Sequence, residues 1–384
     1  MENFINLSAF PAMLFESFDQ HDHAFSVVTA RISYDFDIAS GSLTFCAEQP
    51  ELVEQDEYYG EPGRSSVCFE SDLAPWKPRL DVVINGTAWA PGDKPVREFT
   101  VGAQIGDFTR LLRIYGPREW RKMIAGWSLS AAQPIISLPL RYEYAAGGFY
   151  TLQEGEEYAS PANTAGMGWY SAEYLKKINK QRLPAPQIEL LPQPIKSIDE
   201  ISLPAGFGFF GRGWQGRIEY AGTYDEVWQR DRHPFLPTDF RFDYWCGAHP
   251  WMQFPLPQPL QAVPIKLKYL ISAQEKSDQE ISFHVPVESL FIFITTAKGA
   301  GVAKDMQLDT LVIDLPQRKV HCTYRAAVSE NMEPVMTELR FIQRSDREVM
   351  LKRAEEMNAD PSSQEFMPLP PSLAAKLPQE NHHG

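Results

Sequence analysis

No two of the four cysteines, Cys46, Cys68, Cys246 and Cys322, are spaced as a CxxC pair. That argues against a zinc ribbon and against a disulfide scaffold, and reduced thiols in a cytosolic protein are the simplest account. Long apolar runs are missing too. Nothing approaches the roughly 20 consecutive apolar residues of a membrane span, so no membrane insertion is expected. Basic charge is in deficit, with 36 Lys and Arg against 50 Asp and Glu, a net charge of −14. A nucleic-acid binder shows a basic patch or stripe, and anionic lipid attracts polybasic segments, so neither nucleic acid nor membrane is the expected partner. Acidity instead supplies solubility, or steering toward a basic protein surface. The opening Met1-Glu2-Asn3-Phe4 lacks a basic region leading into an apolar run, so no signal peptide is expected.

The 384 residues exceed one ordinary core and predict two domains, or one domain with large elaborations. Proline (31) outnumbers glycine (24) and aromatics make up 12%, which suits many short strands between Pro turns better than long helices. Residues 24–38 alternate in polarity and predict a half-buried strand, with Gly41 to Cys46 pairing back as a hairpin. Residues 48–61 carry six carboxylates and no Lys or Arg, the pattern of a solvated loop or of a loop facing a partner. Further strands are predicted at 80–90, 97–105, 108–115 and 138–144. A helix is expected over 171–179, with Ser171 as its N-cap. Pro density then blocks helix interiors and central strands, so 181–205 reads as an extended connector.

Beyond it, strands are predicted at 264–272, 280–285, 289–296, 306–314, 319–326 and 335–343, with Leu315-Pro316-Gln317-Arg318 as a turn. Thr223-Tyr224-Asp225-Glu226 fits a capping box opening a short helix that ends before Pro234, and Ser345-Asp346-Arg347-Glu348 fits another, opening a helix to about 358. The expected organisation is a β-rich half over 1–180, the connector 181–205, a second β-rich half with a terminal helix over 206–358, and a Pro-rich disordered tail over 359–384. The fold class is mainly β, with antiparallel sandwich-like or barrel-like halves and a few short helices.

Candidate chemistry is sparse. Gly206-x-Gly208-x-x-Gly211 matches a dinucleotide fingerprint only as a pattern, because Gly213 and Gly216 interrupt any following helix; a turn that lets Phe and Trp pack explains it better. Asp19-Gln20-His21-Asp22-His23 offers two histidines, which do not make a metal site. His233 and His249 each precede Pro, and such histidines commonly bond a loop carbonyl. Asp81, Glu143 and Asp225 could serve a carboxylate-dependent hydrolase if they met in one cleft, but no nucleophile elbow appears. No enzyme activity, cofactor or metal is expected. The tryptophans Trp76, Trp120, Trp214, Trp228, Trp245 and Trp251 each lie near Arg, Lys, Pro or Gly. They suit either core packing or a protein-binding surface, where Trp and Arg are typical anchors.

Several segments in order resemble one bacterial family. They are Lys77-Pro78-Arg79-Leu80-Asp81-Val82-Val83-Ile84-Asn85-Gly86-Thr87-Ala88, Gly116-Pro117-Arg118-Glu119-Trp120 and Leu138-Pro139-Leu140-Arg141-Tyr142-Glu143-Tyr144-Ala145-Ala146-Gly147-Gly148, then Gly206-Phe207-Gly208 with Trp214-Gln215, Tyr220-Ala221-Gly222-Thr223-Tyr224-Asp225-Glu226-Val227-Trp228, Arg232-His233-Pro234-Phe235-Leu236-Pro237-Thr238-Asp239-Phe240 and Leu308-Asp309-Thr310-Leu311-Val312-Ile313-Asp314. Over roughly 20–345 the chain resembles domain-of-unknown-function family 2169, associated with type VI secretion. The resemblance implies a cytoplasmic adaptor or chaperone that stabilises an effector and helps load it onto a spike component of the VgrG or PAAR type. It supplies no catalytic residues. Two departures stand out: Ser160 to Gly166 matches the family's Asn-Pro-x-Gly segment loosely, and Pro117 stands where Asp is common.

The expected partner-binding residues are Trp76, Lys77, Asp81, Arg118, Trp120, Arg212, Trp214 and Trp228. A sheet edge or a Trp-lined surface is expected to hold an aggregation-prone part of the effector. The other readings are a carbohydrate-binding or structural β module and, behind it, the hydrolase.

Overall fold

The computed structural model describes residues 3–152, 155–257, 261–299, 301–342 and residue 346. The chain is mainly β, and among the described residues two short α-helices, Ala172–Lys177 and Glu226–Asp231, punctuate the strands. Its largest sheet has seven strands. Six run in the order Ala12–Phe18, Ala24–Asp37, Lys319–Ser329, Gln307–Asp314, Leu80–Asn85, Gln253–Phe254, and Ser42–Phe45 pairs beside the end of Ala24–Asp37. Every pairing is antiparallel except that of Leu80–Asn85 with Gln307–Asp314, which is parallel. All six residues of Leu80–Asn85 are buried. A strand covered on both faces needs a continuous apolar run, and Val82-Val83-Ile84 provides it.

A second sheet, of five antiparallel strands, runs Ile188–Leu190, Phe108–Tyr115, Glu98–Ile105, Val263–Lys268, Glu280–Val285. Glu280–Val285 alternates exposed and buried residues along its length, the signature of a sheet with one wet face. Its dry face joins the central sheet in one apolar core, with the rings of Phe36 and Phe283 4.5 Å apart. A third sheet sets Asn3–Asn6 parallel to Pro334–Ile342, which pairs with Ser289–Thr296 and then Gly301–Asp305. Among the described residues no sheet closes into a barrel, so the barrel-like expectation gives way to open, mixed and antiparallel sheets.

The central sheet takes strands from both sides of residues 181–205. That segment itself holds two short edge strands, Arg182–Pro184 and Ile188–Leu190. Pro184 closes the first, at a sheet edge where a missing N–H is tolerated.

Two local expectations change. The strand at 138–144 shortens to Ser137–Pro139, followed by a 3-10 turn at Tyr142–Tyr144. The buried Tyr142 ring sits beneath the Gly-rich segment, where a Cβ at Gly206 would stand 2.6 Å from it, so Gly is required by contact rather than by a nucleotide. At the second helix the N-cap is Asp225, whose carboxylate accepts the Trp228 N–H at 2.8 Å. Thr223 is drawn away to Asp239, which accepts its N–H at 2.9 Å and its hydroxyl at 2.7 Å. The first helix follows expectation, with the Ser171 hydroxyl accepting from Tyr174 N–H. The closing helix to 358 and the tail 359–384 fall outside the described residues, apart from residue 346.

Candidate protein-docking surface

Beneath the surface, the loop before Leu80–Asn85 is fastened to the central sheet by charge. Lys77 Nζ donates to Asp81 Oδ2 at 2.7 Å and to Thr310 Oγ1 at 2.9 Å, and Gly247 N–H donates to the same Asp81 oxygen at 2.7 Å. Burial pushes the Asp81 carboxyl above its usual range even against the pull of Lys77. Asp72 accepts from Arg31 at 3.2 Å and from Thr323 at 2.7 Å, and Arg325 pairs with Asp309. On the other flank Arg217 pairs with the buried Glu70, and Arg212 binds Asp56 through two bonds of 2.9 and 3.0 Å. Burial would raise the Glu70 carboxyl, but Arg217 and Arg212 carry it below its ordinary value. Removing one member of such a pair strands the other charge without a partner, so the network fixes where residues 53–81 and 210–217 lie.

A cleft of about 450 Å³ opens beside this network, lined by Tyr59, Cys68, Arg141, Asp314, Lys319 and His321 among others. The Arg141 guanidinium lies 3.9 Å over the Tyr59 ring. Burial, with Arg31 and Lys319 nearby, lowers the His321 pKa to about 3, and burial raises that of the Cys68 thiol. Near neutral pH the imidazole is uncharged and Cys68 stays a thiol, whereas nucleophilic cysteines are thiolates. The three carboxylates of the hydrolase reading each have a structural task. Asp81 holds Lys77, Glu143 accepts from Ser66 N–H at 2.9 Å and its hydroxyl at 2.7 Å, and Asp225 caps a helix. His249 is buried and bonds the Pro204 carbonyl. Among the described residues no group of three or more His, Cys, Asp or Glu is placed to hold a metal ion.

The outer surface offers a different feature. Strand Ala12–Phe18 forms one edge of the central sheet, and its outer side carries no ladder partner among the described residues. At its end Phe18 meets Phe235, ring centroids 5.4 Å apart. The Phe235 carbonyl accepts the Trp228 indole N–H at 2.9 Å, and the Trp228 ring lies 4.6 Å from that of Tyr224. Phe18, Tyr224, Val227 and Phe235 are between 38% and 54% exposed, although each is apolar or aromatic. The helix Glu226–Asp231 buries none of its residues, so its apolar Val227 is turned outward. Asp225, Glu226, Asp231 and Asp239 stand exposed beside this strip, with Arg230 and Arg241 among them. Trp76 extends it by way of the half-buried Phe242, 5.4 Å away, and Phe25, which pairs with Ser17 in the ladder. An open ladder edge beside exposed aromatic anchors can accept an extended peptide as an added strand and seat its side chains.

Of the eight residues expected to bind a partner, Trp228 lies in this strip and Trp76 beside it, exposed. Arg212 is half-buried on Asp56. Lys77 and Asp81 belong to the buried ionic network, and Arg118 is buried against Glu189. Trp120 and Trp214, 1% and 6% exposed, are core residues: Trp120 donates to the Gly168 carbonyl at 2.8 Å, and Trp214 packs 5.1 Å from Tyr142. These five residues are buried in the scaffold rather than exposed on a surface. Phe18, Tyr224, Val227 and Phe235 come to light only in the fold. The signal available for them was a capping box opening a helix too short to bury a face, with Tyr224 and Trp228 one turn apart.

Residues 21–325 match a family described as an uncharacterized protein conserved in bacteria (DUF2169). No curated protein and no solved structure matches the chain.

Proposed function

The chain belongs to the DUF2169 family, and on that premise we propose that it is a cytoplasmic adaptor or chaperone of type VI secretion, binding an effector and helping to load it onto a VgrG- or PAAR-type spike component. The observation that carries the reading is the exposed strip from Phe18 through Phe235 to Tyr224 and Val227, set against the edge Ala12–Phe18, whose outer side has no ladder partner among the described residues. An aggregation-prone strand of the effector adds to that edge through main-chain hydrogen bonds, and its side chains cover the aromatics. The exposed carboxylates around the strip favour a cargo segment with basic residues and speed its capture. Holding the bound form stabilises it by mass action until it is handed on.

The test is recovery of the tagged protein from the bacterium that makes it, with mass spectrometry of what accompanies it. An effector together with a VgrG or PAAR protein is expected. The double variant Val227→Asp, Phe235→Asp should lose the effector at least tenfold while its circular dichroism spectrum stays native, with some loss of stability because Phe235 gives up its ring contact with Phe18. Partner-free protein from cells with an active secretion system would overturn the reading.

A further inference from the structure

A second exposed feature, apart from the aromatic strip, stands on the small sheet of Gly126–Leu129, Glu119–Met123 and Arg182–Pro184. Met123 pairs with Gly126, leaving Ile124 and Ala125 as a two-residue turn. Such turns favour Asn, Asp and Gly, and here Gly126, at φ +121°, takes the positive φ. Nothing in the turn geometry asks for isoleucine. Yet Ile124 is fully exposed and Met123 more than half exposed, so the hairpin ends in an apolar tip that the fold leaves bare.

Cations line the side of the hairpin that faces Arg182–Pro184. Arg121 and Arg182 face each other directly across the ladder and share a single carboxylate, Glu119, at 3.7 and 3.9 Å. Like charges in that position repel and destabilise the pairing. Lys122, tied to this edge by its N–H to the Gln181 carbonyl, and Lys180 next along the chain are exposed and form no ion pair among the described residues. Four cations against one carboxylate is a local reversal in a chain of net charge −14.

The root of the hairpin is rigid. Trp120 is enclosed with Tyr170, Tyr174 and Leu183 in a second small core. Arg118, just before the strand, donates to the Pro186 carbonyl at 2.6 Å and stacks 3.8 Å from the Tyr115 ring. A tip held this firmly loses little freedom when it binds.

We propose that this hairpin is a docking element for an acidic, amphipathic segment of a partner protein. Carboxylates of that segment engage Arg121, Lys122, Lys180 and Arg182, and an apolar pocket receives Met123 and Ile124. Arginine pairs with carboxylate in a bidentate, charge-assisted geometry, which supplies orientation as well as attraction. Two apolar side chains are too little to anchor a chain of this net charge on an anionic bilayer, and the cations call for carboxylates, so a protein is the favoured occupant. The inference rests on the adaptor reading only in giving such a protein two separate surfaces, one for each of two partners.

The experiment places a photo-crosslinking benzoylphenylalanine at position 124 of the full chain in the producing bacterium and identifies the adducts by mass spectrometry. Adducts on a segment of another protein with an excess of Asp and Glu are expected. They should fall at least tenfold when Arg121→Glu and Lys122→Glu are added, with the circular dichroism spectrum unchanged. Lipid adducts alone, adducts only on a second copy of this chain, adducts on segments without acidic excess, or no adducts above those of a crosslinker at the exposed Ser40 would each overturn the proposal. Effector recovery tested through Val227 and Phe235 reads the other surface, so the hairpin can fail while the adaptor reading stands.

Discussion

His249 is wholly enclosed, and both its ring nitrogens are in use. Nε2 faces the Pro204 carbonyl at 3.0 Å, and Nδ1 accepts the Trp251 N–H at 3.0 Å. These partners fix the neutral tautomer, because a proton on Nδ1 would displace the Trp251 bond. Burial accordingly lowers the pKa to about 4 from the ordinary 6.5. The unfolded chain takes up this proton below 6.5 and the folded chain does not until about 4, so stability falls as pH drops through that window. The loss attributable to His249 is about 2 kcal/mol between pH 7 and pH 5. His321, lowered to about 3 by burial and the charges of Arg31 and Lys319, contributes with the same sign. Urea midpoints at the two pH values should therefore separate for the parent and draw together for His249→Asn; an equal separation in both would refute the assignment. At this scale the sequence was informative about one histidine and misleading about tryptophan. A histidine before proline reads as a partner for a loop carbonyl, and His249 is one. Tryptophan beside Arg, Pro or Gly reads the same in a core as on a surface, so nothing in one dimension separated Trp120 and Trp214 from Trp76 and Trp228. The difference lies in what the chain brings over each ring.

Among the elements, those with one buried face were legible. Phe108–Tyr115, Glu280–Val285 and Ser289–Thr296 have the bounds read from their alternation and flanking turns. Exposed strands carry no such record. The edge strands Ala12–Phe18 and Gly301–Asp305 have no fully buried residue, and Glu119–Met123, the middle strand of its small sheet, has only Trp120, with a turn of Ile and Ala where turn chemistry would supply Asn or Gly. Ala12–Phe18 and Glu119–Met123 carry the two proposed docking surfaces, so the sequence was least readable where the function is proposed to lie. The hairpin nevertheless has a separate energetic identity through Trp120. Trp120→Ala should cost about 3–5 kcal/mol by leaving a cavity in the small second core. Its effect should be local first: amide hydrogen exchange across 119–129 and 182–184 should quicken well before that of Leu80–Asn85. Uniform acceleration across all three would mean the hairpin has no core of its own.

For the whole molecule the decisive pairings join distant parts of the chain. Ala24–Asp37 pairs with all eleven residues of Lys319–Ser329, Leu80–Asn85 lies between Gln307–Asp314 and Gln253–Phe254, and Glu98–Ile105 pairs with Val263–Lys268. Sequence periodicity shows that each of these strands exists, but not which strand lies beside it, because register between remote segments leaves no local trace. The consequence is testable on fragments. Cut after residue 205, the first piece retains Leu80–Asn85 without either neighbour in the central sheet, and Ala24–Asp37 with its longest ladder open. Strands that are buried on both faces when whole would then expose apolar side chains and unpaired backbone together, the combination that drives edge-to-edge aggregation. Fragment 1–205 produced alone should be insoluble or lack a native circular dichroism spectrum. Co-expressed with 206–384 it should be recovered as a soluble complex, because the missing strands are supplied in trans. The intact chain should melt in one transition, as long-range pairing couples its sheets. A soluble, monomeric 1–205 with native-like strand signal would show instead that the first half closes its own core and that the pairings with the second half are added afterwards.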